Sequence, residues 1–82
     1  MEILVNILSV AHEGALKTHI MYKANLSHTQ LDKYLTFLQG NGMLRAVPDP
    51  EGGKSRYEIT DKGLSFLKEY ARLSNYFTEK KL

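Results

Sequence analysis

Four sets of side chains in this sequence have the types needed for chemistry or recognition, and spacing separates one set from the rest. Ser9 and His12 stand one helical turn apart, as a nucleophile and its base can, but no carboxylate at fixed spacing orients the histidine and nothing nearby suggests an oxyanion hole. His12, His19 and His28 are the nitrogen ligands available to a metal. Their separations of seven and nine residues match no compact helical ligand pair, and the chain has no cysteine to complete a thiolate site. Gly52-Gly53 lies among turn formers, without the strand-to-helix setting of a phosphate-binding loop. These three sets lead to no enzyme, no metal and no cofactor. The fourth set reads differently. On a helix, Thr29, Lys33 and Thr36 share one face, with Gln30 to one side and His28 in the same first turn. Glutamine can pair bidentately with adenine N6 and N7, and lysine neutralises phosphate, so this face has the chemistry of double-stranded DNA recognition.

Such a face requires a helix with a defined start. Ser27 followed by Gln30 matches a capping box, in which the serine hydroxyl accepts from the third backbone amide and the glutamine side chain reaches back. The spacing therefore predicts a helix over 27–40, with Leu31, Leu35 and Leu38 buried beside Tyr34, and with Gly40-Asn41-Gly42 as its stop. Upstream, Ile3, Leu4, Ile7, Leu8 and Ala11 predict an amphipathic helix over 2–13 ended by Gly14. Ala15-Leu16-Lys17 is long enough only for an edge pairing. Thr18 is the expected N-cap of a second helix through Ala24, broken by Asn25-Leu26. Downstream, residues 43–47 and 56–60 read as an antiparallel β-hairpin whose tip, from Pro48 to Gly53, is dense in turn formers. Thr60-Asp61 can cap a fourth helix, whose apolar residues continue at helical spacing nearly to Leu82.

The bulk properties narrow the function classes. Eighty-two residues predict one domain, 1–82, with one modest core. With 43% hydrophobic and 24% charged residues, the chain is expected to be globular rather than disordered. No apolar run approaches membrane-spanning length and no basic leader opens the chain, so a cytoplasmic protein without a membrane partner is expected. The net charge is only +2, yet residues 17–56 hold six basic residues against Asp32, Asp49 and Glu51. Lys17, Lys23, Arg45, Lys54 and Arg56 flank the central helix and are the expected phosphate contacts, with Lys54 and Arg56 belonging to a wing over 48–56.

The order helix, short strand, helix, tight turn, helix, hairpin, helix is mainly α with a small antiparallel hairpin, the order of a winged helix-turn-helix. Residues Lys17 through Ser27, with Gln30-Leu31, Tyr34-Leu35, Asn41 through Leu44 and Tyr57 through Gly63, resemble the archaeal winged-helix transcriptional regulators over nearly the whole chain. That resemblance implies DNA binding without a cofactor, and often a homodimer held through the C-terminal helix. The sequence agrees on the last point: in the segment 61–82, Phe66, Tyr70, Leu73, Tyr76 and Phe77 supply more apolar surface than a small core needs, and are the expected dimer contacts. The competing expectation is a protein-interaction module that uses the same scaffold within a larger assembly. The polar, basic character of the Thr29–Lys33–Thr36 face favours DNA.

Overall fold

The computed structural model describes residues 2–76. Helix α1, Glu2–Val10, tightens into a 3₁₀ turn at Ala11–Glu13, together filling the range that the apolar spacing marks out. Strand β1, Ala15–Leu16, leads directly into helix α2, Lys17–Ala24, and a tight turn connects α2 to helix α3, His28–Gly40. Strands β2, Leu44–Val47, and β3, Arg56–Ile59, form the hairpin, and helix α4 runs Asp61–Ser74. Asn75 and Tyr76 form a turn, and the expected continuation of the helix toward Leu82, Phe77 included, lies outside the described residues.

The possible edge pairing at Ala15-Leu16 is realised and makes the sheet three-stranded. β1 pairs antiparallel with β3 through Ala15↔Tyr57 and Leu16↔Arg56, and β2 pairs on the other side, so β3 is central. This pairing also corrects the start of α2. Leu16 is held extended in the sheet, so the helix begins at the next residue, and Leu16 rather than Thr18 occupies the N-cap position, without a side-chain cap.

The turn between α2 and α3 follows from one left-handed residue. Asn25 has φ 58°, and the amides of Asn25 and Leu26 donate back to the carbonyls of Tyr22 and Met21. Asparagine tolerates this conformation better than most residues. Ser27 then starts α3 as expected: its Oγ accepts from the Gln30 amide at 3.2 Å, and Gln30 Oε1 accepts from the Ser27 amide at 3.0 Å. At the other end the left-handed residue is Gly42, φ 74°, while Asn41 stays at φ −94°; Met43 and Gly42 amides close onto Leu38 and Gln39 carbonyls.

The core collects Ile7, Leu8 and Ala11 from the first helical segment, Ala15, Ile20 from α2, Leu31, Leu35 and Leu38 from α3, and Leu44 from β2. Each fully buried leucine or isoleucine contributes about 1.5–3 kcal/mol of burial. No polar side chain is buried among the described residues. Ile3, expected in the α1 stripe, is 37% exposed in the first turn of α1. The N-terminus of α4 is tied to the α3–β2 turn by Thr60, whose Oγ1 accepts from the Gly63 amide and donates to the Gly42 carbonyl. Among the described residues no helix is long and apolar enough to cross a membrane.

Candidate nucleic-acid interface

Three buried leucines orient α3. Because Leu31, Leu35 and Leu38 face the core, rotation by about 100° per residue puts Thr29, Lys33 and Thr36 on the far side, and all three are exposed. The sequence expectation for this face is met in its placement. His28 and Gln30 are exposed beside it. The capping box, however, changes the chemistry available to Gln30. Its Oε1 already accepts from the Ser27 amide, so a bidentate pair with adenine competes with the cap, which is worth about 1 kcal/mol.

The expected phosphate contacts divide into two groups. Lys17 Nζ is paired with Asp32 across the α2–α3 junction, and that hydrogen bond is the main cause of its pKa being raised above the ordinary lysine value. Arg45 and Glu58, directly opposite in the β2–β3 register, form a cross-strand pair at 3.3 Å. Arg56 donates to the Gly14 carbonyl at 3.1 Å and so braces the sheet against the end of the first helical segment. These three cations have structural tasks within the chain. Lys23, Lys33 and Lys54 are exposed and form no salt bridge among the described residues.

The hairpin approaches the helices from one side. Its tip is shaped by Asp49, whose Oδ1 accepts from the Glu51 amide and whose carbonyl accepts from the Gly52 amide. Lys17, Thr18 and His28 face Gly53, Lys54, Ser55 and Tyr57 across an open cleft of about 520 Å³. The cleft brings together Lys17, His28 and Lys54 of the expected contact set, and adds the hydroxyls of Thr18, Ser55 and Tyr57. Arg45 and Arg56 do not line it.

Two further features bear on this face. Phe37 is 53% exposed and follows Lys33 by one turn, so it belongs to the outward face; rotating the helix from its leucines is enough to find it. The tether of Asp32 to Lys17 has no local signal, because it depends on how two helices pack. On α4, Phe66 packs partly against the core and stacks in a tilted arrangement on Tyr70, with ring centroids 6.5 Å apart. Phe66 is therefore less available to a partner than expected, while Leu73 and Tyr76 are open at 53% and 73% exposure.

Comparison with known proteins agrees with this geometry. The chain is similar in structure to the transcriptional regulator BldR from Sulfolobus solfataricus, with TM-score 0.80, 19% identity, and coverage of 96% of this chain and 61% of that one. It is also similar to Sso10a-2, a DNA-binding protein from the same organism, with TM-score 0.72, 26% identity, and coverage of 98% and 85%. An uncharacterized protein of Methanocaldococcus jannaschii is 36% identical over 63 residues, which are 76% of this chain and 59% of that protein's length. The winged helix-turn-helix family model matches residues 1–78. The helix order, the three-stranded sheet and this match lead to one conclusion: the chain belongs to the winged helix-turn-helix family.

Proposed function

We propose that this protein binds double-stranded DNA as a transcriptional regulator of the cytoplasm, without catalysis, by placing α3 in the major groove and the hairpin tip over the adjacent backbone. The observation that carries the reading is the exposed Thr29–Lys33–Thr36 face on a helix fixed by its own core leucines. A major groove about 12 Å wide admits one helix, and α2 braces it across a tight turn. Similarity to Sso10a-2, described as DNA-binding, supports the same reading. Lys23, Lys33 and Lys54 neutralise phosphates, assisted by Lys17, Arg45 and Arg56 where their internal partners release them, while Thr29, Thr36 and His28 meet the groove.

In a fluorescence-anisotropy titration with mixed-sequence duplex at about 50 mM salt, saturable binding below roughly 10 μM is expected, within the ordinary strength of non-specific binding. Failure to saturate at tens of micromolar contradicts the proposal. Asp32 provides a further check with an unusual sign. It puts a carboxylate beside the DNA-facing residues and holds Lys17 away from phosphate. Asp32→Asn is expected to tighten binding about threefold at low salt and to steepen the salt dependence by about one counterion. Unchanged affinity would place Lys17 outside the interface.

The homodimer belongs to the same proposal. Tyr70 and Leu73 continue an apolar stripe along α4 that the core leaves partly open, with Phe66 at its inner edge and the exposed Tyr76 in the turn that follows. A second copy covering that stripe would double the DNA contacts with two-fold symmetry. Sedimentation at tens of micromolar is expected to give the dimer mass, and Leu73→Glu the monomer mass. A wild-type monomer would remove the dimer while leaving DNA binding to its own test.

A further inference from the structure

Among the described residues five large apolar side chains are exposed, and Phe37 is the one on α3. It is absent from the residues packed on the core, although Tyr34 of the same helix is among them. It has no hydroxyl to justify its position in water, unlike Tyr22 and Tyr76. Its backbone is nonetheless firmly placed: the Phe37 carbonyl accepts from both the Asn41 amide and the Asn41 side chain, at 3.0 and 2.8 Å. A phenyl ring on a fixed backbone therefore stands open on the face proposed to meet DNA.

We infer that Phe37 is a specificity residue that packs on the C5-methyl group of thymine in the major groove; this rests on the DNA-binding reading above. Phe37 follows Lys33 by four residues and Gln30 by seven, so these three form one continuous row on the helix surface. A groove that engages Lys33 meets the Phe37 ring next. Phe37 stands eight residues beyond Thr29, about 12 Å along the helix axis, which is within about four base steps. Thymine methyl is the apolar group on the major-groove edge of the standard base pairs, and an aromatic ring is a suitable contact for it.

Gly40 is a second, independent sign that the interface extends into this half of α3. It is the last residue of the helix, its φ is not positive, and a Cβ there would meet nothing within 4 Å of the protein. Neither conformation nor internal packing calls for glycine at this position. Gly40 follows Lys33 by seven residues and Thr36 by four, on the same outward face, where a missing side chain lets another molecule approach the backbone closely.

The test uses two alternating duplexes of about 30 base pairs, one of dA·dT and one of dA·dU, which differ in the groove by the C5-methyl alone. The wild-type chain is expected to bind the thymine duplex about three- to tenfold more tightly, the scale of one or two methyl contacts. Phe37→Ala, at an exposed position and with its circular dichroism unchanged, is expected to bind both duplexes equally and at the weaker affinity. The inference is overturned if the wild type does not distinguish the duplexes, or if Phe37→Ala keeps the wild-type ratio. Absence of binding to either duplex would instead overturn the DNA-binding reading beneath it.

Discussion

Gly63→Ala is expected to cost the domain about 2–3 kcal/mol and to lower its melting temperature by roughly 10–20 °C. Gly63 is buried in the first turn of α4, where that helix meets the sheet. An added Cβ would lie 2.5 Å from the Met43 carbonyl oxygen and 2.6 Å from Ile59 Cγ1. Ile59 could rotate, but the Met43 carbonyl already accepts from the Thr60 amide, and Thr60 in turn caps α4 and bonds to Gly42. Relief of the clash must therefore break a cap or lift α4 from the sheet. Gly40→Ala makes the comparison informative: with open space at its Cβ and helical surroundings, it should raise stability by up to about 0.5–1 kcal/mol. Thermal melts of the two variants should thus move in opposite directions. Equal melting temperatures for Gly63→Ala and wild type would refute the packing described at the α4–sheet junction.

Lys33→Glu is expected to weaken binding to duplex DNA by about 10- to 100-fold near 50 mM salt, and to reduce the slope of log affinity against log salt by about one or two. Lys33 lies at the middle of the outward face, is exposed and forms no salt bridge among the described residues, so reversing its charge should leave the fold intact. The loss has two parts: one phosphate neutralisation disappears, and a carboxylate is brought against the backbone. Lys68→Glu is the matched control, since it changes net charge equally from an exposed position on α4. If both variants lost affinity to the same extent, net charge would explain the binding and α3 would have no special place in it.

The parts of the molecule legible in the sequence are those determined locally. Leucines 31, 35 and 38 set the rotation of α3, and the Ser27–Gln30 pair sets its start; both follow from side chains within one helix. The strand pair of the hairpin was equally legible, bounded as it is by Pro48 through Gly53. What escaped depends on contacts distant in sequence. Leu16 takes the N-cap position of α2 only because it pairs with Arg56, forty positions away, and Thr18 loses its expected task for that reason. Lys17 and Arg45 read as free cations until Asp32 and Glu58 are found opposite them. Charge counting along the sequence records how many cations there are but not which have been spent on holding helix to helix or strand to strand. Phe37 needs no distant contact to be placed: the angle about the helix axis set by the three leucines already turns it outward.

These distinctions alter what the charged residues imply about binding. Of the six proposed phosphate contacts, three have no salt bridge among the described residues and three have internal partners, which favours a modest non-specific affinity with a log–log salt slope of about −3 to −5. Under the proposed binding mode, sequence preference would fall on few groups, Thr29, Thr36 and Phe37 foremost, since Gln30 is engaged at the helix cap.

Heteronuclear NMR of the backbone amides, as mixed-sequence duplex is added, locates the DNA-binding face. The largest shifts are expected within His28–Gly40 and the hairpin tip at 48–55, with Asp61–Ser74 nearly unmoved at constant oligomeric state. Shifts confined to α1 and α4, with α3 unperturbed at saturation, would contradict the proposed placement of α3 in the major groove.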